Sequence, residues 1–514
     1  MPKASPQGLS LTKSSYSKGI ICPKNLWLEI NKPELKPVFS DSSFFEEGNK
    51  TRKLARSYFG KYSLVPYNEN KAVMQEETSR LIAGAMDAKA VCAAVFAHNG
   101  NFCSVDLLLT AADGLEIIEI KSSASVKPSF LDDLAYQYYI VKSCGWAVEN
   151  ISVLHINGGY VRKGPLEIDK LFTLTRCTDE IIEKQNEVEG NIQKILEIAG
   201  AEEEPLYPVE ECANPYCVFK PWCYKDLPQN NIFNLNCGKA LEHKAKISLY
   251  SRGITSIEDL LASNEELSPE ARLIAECEEK KLPPQFDKKA IEEFVNEISL
   301  NFPVYHLDFE TFKEMIPSLD NQSPYQQIPF QYSLHIQKDW ESEPEHREFL
   351  GEIGIDPRRL LAQKLCEDIP KDVYIAAYYM PFEKERLQEL ARLFPDLHDH
   401  LINIHDNLHD LIIPFQKRIW YSRLQRGSNS LKAVLPAMFP GEGGLDYHAL
   451  DQIHNGGEAS SSYMALGRQS PKEREKTKAA LLAYCRLDTY AMVKILQKFY
   501  LISRGEASGD YENN

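Results

Sequence analysis

The stretch VDLLLTAADGLEIIEIK (105–121) decides how the first half of the chain is read. Two runs rich in Leu and Ile flank Asp113-Gly114, a dipeptide that favours the tight turn of a β-hairpin. Asp106 then lies in the first strand, and Glu119-Ile120-Lys121 ends the second. Side chains alternate along a strand, so Glu119 and Lys121 share a face, and pairing brings Asp106 towards them. Two carboxylates and an ammonium at one sheet end suit phosphodiester hydrolysis. The carboxylates would hold Mg2+ or Mn2+, and the lysine would position water or offset developing charge. An E-x-K alone is a common surface salt bridge; its neighbours give it weight.

Working outward, 71–85 reads as an amphipathic helix, followed by strand-like AVCAAVF (90–96) and FCSVDLLL (102–109) joined at Asn99-Gly100. A helix over Leu131–Lys142 carries Gln137, and ISVLHI (151–156) reads as the next strand. This order predicts an α/β core with two hairpin connections. Residues 178–200 read as a solvated helix, and 226–298 as helical and highly charged. Within the latter, SLYSRGITSIEDLL (248–261) reads as helix, Gly-containing turn, helix. That is either a helix–hairpin–helix able to hold a DNA backbone or a plain linker bundle. A further domain opens near Asn301 and runs to Ser503. The ends, 1–11 and 504–514, are polar and expected to be disordered.

A length of 514 residues accommodates two or three domains. The net charge of −16 counts mildly against a general polyanion binder, but nuclease sites are themselves rich in carboxylates. No apolar run approaches the ~20 residues of a membrane span, and Met1–Ser10 has no apolar core of a secretion signal. A cytoplasmic protein with no membrane partner is expected. Its twelve cysteines are then thiols or metal ligands rather than disulfides. Cys92, Cys103, Cys144, Cys177, Cys237, Cys277, Cys366 and Cys485 are scattered and read as small buried apolar groups. Cys212, Cys217 and Cys223 instead cluster in ECANPYCVFKPWC (211–223). A fourth thiolate would complete a soft metal site, and Cys22 in ICPKNLWL (21–28) is the best candidate. The occupant is a 4Fe-4S cluster or, alternatively, zinc.

The second half carries YHLDFET (305–311), which places Asp308 and Glu310 on one strand face, able to grip one metal and touch another. Near the end, LLAYCRLDTYAMVKIL (481–496) reads as a helix with Tyr484 and Asp488 one turn apart. Between them, AYYMPFEKERL (377–387) offers Glu383, and HDLIIPF (409–415) offers Asp410 as an extra ligand or a supporting carboxylate.

Residues 12–225 resemble PD-(D/E)XK nucleases of the RecB type, including CRISPR-associated members with iron–sulfur clusters. Asp106, Glu119 and Lys121 match the D…ExK signature, and Gln137 the glutamine of the following helix. Two departures stand out: Val141 replaces the Tyr that usually follows Gln137 by four residues, and no His occurs near Gly48–Arg56. The resemblance implies a 4Fe-4S staple formed by Cys22, Cys212, Cys217 and Cys223. The pair Tyr484/Asp488 matches the Y-x3-D of DEDDy exonucleases, which have an RNase H-like fold; Glu383 stands where that family has Asp, and Tyr379 where it has Asn. Nearly the whole chain is similar to bacterial proteins ending in the domain of unknown function 2779. ICPKNLWL, EEGNKTRKLAR (46–56), SPYQQIPFQYSLHI (323–336), GSNSLKAVLPAMFP (427–440) and AYCRLDTYAMV (483–493) carry that likeness.

These resemblances imply an α/β multidomain chain: a restriction-endonuclease-like domain over 12–225, a helical linker over 226–300, and a DEDD exonuclease domain over 301–503. The implied activity is metal-dependent hydrolysis of nucleic acid, with DNA favoured over RNA. Asp308, Glu310, Glu383 and Asp488 would be metal ligands and Tyr484 would position water for 3′–5′ cleavage. Asp106, Glu119, Lys121 and Gln137 would form a second site. The alternative is a nucleic-acid-binding or assembly protein with one or both sites inactive.

Overall fold

Asn99 and Gly100 adopt φ of 49° and 80°, the left-handed pair of a two-residue turn whose twist matches that of the flanking strands. They join Ala90–His98 (β2) to Asn101–Thr110 (β3), which pair antiparallel with Ala97 opposite Phe102. In the computed structural model the described residues are 9–36, 43–84, 90–111, 113–206, 212 and 216–506, with the side chains of 43–47 excepted. The chain divides into two compact units: Met1–Asp226 with Glu314–Tyr325, and Leu227–Lys313 with Gln326–Asn514. Both are α/β, with mixed sheets.

In the first unit the helices Lys13–Ile21 (α1), Pro23–Asn31 (α2), Ser43–Ala55 (α3) and Lys71–Ala83 (α4) enclose the short strand Tyr62–Leu64 (β1) in sequence and precede β2. After β3 come Leu115–Lys121 (β4), the helix Pro128–Ser143 (α5), Val148–Ile156 (β5), Phe172–Arg176 (β6) and the helix Thr178–Ala199 (α6). The six strands lie in sequence order. β2, β3 and β4 form an antiparallel meander, and β5 returns parallel to β4 through α5. Alternation along β4 and β5 sorts the apolar side chains to two faces, and on β3 it is interrupted between Val105 and Leu107, opposite Ala93 of β2 at φ of 55°. Val105, Ile117, Ile151 and Val153 pack with Tyr136, Ile140 and Val141 of α5 and with α6. Leu107, Ile118, Ile120 and Leu154 pack on the other face with Ala55 of α3, joined by Ile316 and Tyr325. The segment 314–325, expected within the C-terminal domain, thus belongs to the first unit.

The second unit holds the helices His243–Ser251 (α7), Ile257–Ala262 (α8), Pro269–Glu279 (α9) and Lys288–Ser299 (α10), then the strands Val304–Phe312 (β7), Ile328–Gln337 (β8) and Glu345–Leu350 (β9). Arg358–Asp368 (α11), Tyr374–Ala377 (β10), Pro381–Leu393 (α12), His398–Asp406 (α13) and Leu408–Asp410 (β11) follow. The last stretch contains Leu431–Met438 (α14), Gly456–Ala465 (α15) and the 34-residue helix Pro471–Arg504 (α16). The sheet order is β9-β8-β7-β10-β11, with β8 antiparallel to β7 and β10 and β11 parallel to it. Leu307 and Phe309 of β7 face a core with α11, α12 and α13. On the opposite side Ile298 of α10 packs with Met492 and Leu496 of α16, so residues read as a linker build part of this unit. Around 248–261, Gly253 takes φ of +83° between α7 and α8.

The expectation of disorder over 1–11 falls on residues 1–8, which lie outside the described residues, and is corrected at Leu11. Leu11 is buried; its N–H donates to Asn101 Oδ1 at 2.9 Å, and its carbonyl accepts from Tyr136 Oη at 2.7 Å. At the other end α16 includes Arg504 and is capped by Gly505 in the left-handed conformation, while 507–514 lie outside the described residues. Among the described residues no helix is long and apolar enough to cross a membrane.

Candidate functional site

Four acidic side chains meet in the second unit. β7 turns Leu307 and Phe309 into one core, so period-two alternation sends Asp308 and Glu310 to the other face, towards α16. Ser470 caps α16 in a reciprocal box with Glu473, starting a helix long enough to bury Tyr484 and Asp488 one turn apart. Glu383 enters from the first turn of α12, where Pro381 pre-sets the helix. It is 2% exposed, and among the described residues its Oε2 is a buried oxygen with no hydrogen-bond partner.

The electrostatics of this cluster are unfavourable as it stands. Burial, and then the charges of its neighbours, push the carboxyls of Asp308, Glu310 and Glu383 well above the usual range. Burial raises Asp488 to about 6, although hydrogen bonds from Tyr447 and Tyr484 and the charge of Lys432 pull it down. Lys432 also reaches Asp308 and Glu310, its Nζ lying 5.0 Å from the Tyr484 ring centre and 5.6 Å from that of Tyr447. Converging like charges with an unpaired buried oxygen are what a hard divalent cation relieves. Asp308, Glu310 and Cys485 offer ligand atoms that all lie within 4.8 Å of one another. The donor set therefore fits a divalent ion.

Asp410 is otherwise occupied. Its Oδ1 accepts from the N–H groups of Tyr379 and Ile412, both at 3.0 Å, and its Oδ2 from Met380 N–H at 3.1 Å. It holds Tyr379 at φ of 71° immediately before α12. This backbone-bound carboxylate ties down the start of the helix that carries Glu383, an arrangement that suits a supporting role.

The structure brings Asp106, Glu119, Lys121 and Gln137 of the first unit together as expected, but with additional partners. Gln137 of α5 donates Nε2 to Glu119 Oε2 at 2.9 Å. Glu119 Oε1 faces two ammonium groups, Lys13 of α1 at 2.5 Å and Lys121 at 3.1 Å. Lys121 also meets Asp133 at 2.5 Å. Asp106 Oδ1 lies 3.1 Å from Arg52 Nε of α3, and Oδ2 accepts from Ile120 N–H at 3.1 Å. Burial raises the Glu119 carboxyl, but Lys13, Lys121 and the donation from Gln137 outweigh it and hold the group at about 2. Burial combined with the charge of Glu119 raises Asp106. Three of the four carboxylate oxygens already accept from a protein donor, and Asp106 Oδ1 has the ion contact to Arg52, so this donor set does not fit a divalent ion without losing the partners of Glu119.

Cys22 stands between α1 and α2, at the N-terminal cap of α2. Cys217 and Cys223 pack around Trp27, Leu28 and Phe219, and Asn25 Nδ2 lies 3.3 Å from Cys217 Sγ. Burial lifts the Cys223 thiol to about 11, and the charges of Cys217, Cys22 and Cys212 act on it in the same direction. The four predicted thiols are therefore mutual neighbours. Glu204 locks the surrounding segment by binding Lys24, Lys32 and the Trp222 indole.

Sequence reading missed Lys13, Lys432, Tyr447 and Cys485. For Lys13 a signal existed: Thr12 and Ser15 form a capping box that places the lysine at the first position of α1. Lys432 and Tyr447 lie outside both spaced motifs, and Cys485 was classed with the bland cysteines. Residues 305–430 match the family model described as Domain of unknown function (DUF2779), a span that includes Asp308, Glu310, Glu383 and Asp410. No curated protein matches the chain.

Proposed function

We propose that this chain is a metal-dependent nuclease that hydrolyses phosphodiester bonds at the carboxylate cluster of its second unit. The observation that carries this is the convergence of Asp308, Glu310, Glu383 and Asp488, all buried or partly so, with Glu383 Oε2 unpartnered. The order β9-β8-β7-β10-β11, with β8 alone antiparallel among the central strands, agrees with an RNase H-like domain. DNA is the favoured substrate and 3′–5′ the favoured direction, with RNA the alternative.

Mg2+ or Mn2+ held by the four carboxylates would polarise the scissile phosphate and activate water. The chain's own groups prepare the rest. Tyr447 and Tyr484 orient Asp488 through hydrogen bonds, and the Tyr484 hydroxyl, one turn from Asp488, is the group placed to position water. Lys432 adds a fixed positive charge beside the place where phosphate charge would develop. Asp410 fixes the N-terminal turn of α12 and so the approach of Glu383.

In the first unit the meander β2-β3-β4, then α5 and parallel β5, agrees with a RecB-like core. The four thiols would hold a 4Fe-4S cluster. Zinc, held by four thiolates through Zn–S bonds of ~2.3 Å, is the alternative occupant. A nucleic-acid-binding role without chemistry is the second reading for this unit, favoured by the engaged oxygens of Glu119.

The test is degradation of 5′-labelled single- and double-stranded DNA and RNA by anaerobically purified protein with Mn2+ or Mg2+, beside Asp308→Ala. A 3′-shortening ladder that disappears in the variant is expected. Intact substrate under every condition, with the metal cluster retained, would remove the nuclease reading.

A further inference from the structure

The D…ExK trio implies a divalent cation in the first unit, yet its carboxylates are met by three cations of the chain. We propose that the ammonium of Lys13 is the resident cation of the Asp106–Glu119 pocket, taking the place of a divalent ion, so that the first unit as folded binds none.

Geometry comes first. Lys13 Nζ lies 2.5 Å from Glu119 Oε1, the closest approach to that carboxylate, and Glu119 is 2% exposed. With Lys121, Gln137 and the Ile120 amide, both oxygens of Glu119 and Oδ2 of Asp106 have a protein donor, and Arg52 adds an ion contact to Asp106 Oδ1. The charges also balance: Asp106, Glu119 and Asp133 face Lys13, Lys121 and Arg52. A divalent ion would enter a neutral pocket and strip partners from a buried carboxylate, which is costly where the dielectric is low.

Lys13 is also held where it stands. It occupies the first turn of α1, whose start is fixed by the Thr12–Ser15 capping box. The preceding Leu11 is tied to β3 through Asn101 Oδ1 and to α5 through the Tyr136 hydroxyl. Tyr16 stacks on Tyr136 with ring centres 4.7 Å apart. On the far side of α1, Gly19 packs so closely on Ile195 that a Cβ there would come within 2.6 Å of it. Burial opposes the charge on Lys13, but Glu119, Asp106 and Asp133 more than restore it. A clamped helix therefore delivers a permanent cation, and the first unit grips or braces rather than cuts. This goes beyond the nuclease reading of the second unit and does not depend on it.

Mn2+ titration of the full-length protein, followed by the loss of the free-ion EPR signal, tests the assignment. Asp308→Asn/Asp488→Asn serves as the background that silences the second unit. Adding Glu119→Gln to that background is expected to leave Mn2+ binding unchanged, because no Mn2+ sits in the first unit. Adding Lys13→Met is expected to create one Mn2+ site and a melting temperature that rises with Mn2+, both abolished by Glu119→Gln. Mn2+ bound in the background and lost with Glu119→Gln overturns the proposal. So does a folded Lys13→Met variant that gains no Mn2+. Should Lys13→Met fail to fold, the Glu119→Gln comparison with Lys13 in place still decides. Whether the unmodified protein binds Mn2+ that Asp308→Asn removes reports separately on the second unit.

Discussion

The Tyr447 hydroxyl donates to Asp488 Oδ1 at 2.5 Å across 41 residues of chain. Both side chains are buried, at 4% and 7% exposure, so this bond works where water does not compete with it. It aims one oxygen of Asp488, and a hydrogen bond from Tyr484 and the charge of Lys432 also act on the carboxylate.

Tyr447→Phe removes that donor without changing the ring. Groups that orient metal ligands typically govern affinity ~10–100-fold. Mn2+ binding to the second unit should weaken by about that factor, with the fold intact. Tyr484→Phe also removes a donor to Asp488 and should weaken Mn2+ binding comparably, but in addition lower turnover at saturating metal by roughly 10²–10⁴-fold, as for a group that positions the reacting proton. Calorimetric titration together with single-turnover cleavage at saturating Mn2+ distinguishes the two variants. Equal turnover of both at saturating metal would contradict the division of labour.

Glu383→Gln should stabilise the metal-free protein while abolishing its activity. The buried carboxylate has a raised titration range, set by burial and then by the charge of Asp308, so neutralising it relieves repulsion. A gain of ~1 kcal/mol corresponds to about 2–4 °C in a domain of this size class. Differential scanning calorimetry with chelator present measures it. A melting temperature that falls while Mn2+ binding persists would sink the ligand assignment.

Acid should weaken the first unit through Glu119. Its carboxyl is held at about 2, below its ordinary value of 4.5, by Lys13, Lys121 and Gln137 against burial. A depressed folded-state value contributes stability that is present in full above the unfolded value and fades as pH falls from ~4.5 towards ~2. That contribution is on the order of 3 kcal/mol. Denaturant unfolding of the unmodified protein and Glu119→Gln should show a difference that shrinks over this window. A pH-independent difference would place the interaction elsewhere.

If the four thiols hold the proposed cluster, Cys22→Ser and Cys223→Ser should each lose bound iron and acid-labile sulfide and destabilise the first unit. Cys92→Ser and Cys277→Ser, at buried apolar sites, should keep the full iron content. Metal analysis of anaerobically purified protein decides, and stoichiometric zinc without iron would replace the cluster assignment.

Much of this was legible locally. The hairpin at Asn99-Gly100, the strands around Asp106 and Glu119 and the helix carrying Gln137 follow from periodicity and turn chemistry, which act over a few residues. Likewise D-x-E on β7 and Y-x3-D on α16 declare which side chains share a face, because strand and helix repeats are fixed by the backbone. The cysteine group was legible because thiols crowd into so short a stretch.

What lay beyond reach was which distant residue completes each site. That Lys13 meets Glu119 depends on how α1 packs against α5 and β3, a matter of side-chain volume over 106 residues of separation. The same holds for Tyr447 on Asp488, for Asp410 bound to the α12 backbone, and for 314–325 joining the first unit. Local pattern sets direction and face. The partner found there is chosen only when the cores close, since burial removes water as the competing partner and leaves each charge to the group that packing brings within reach.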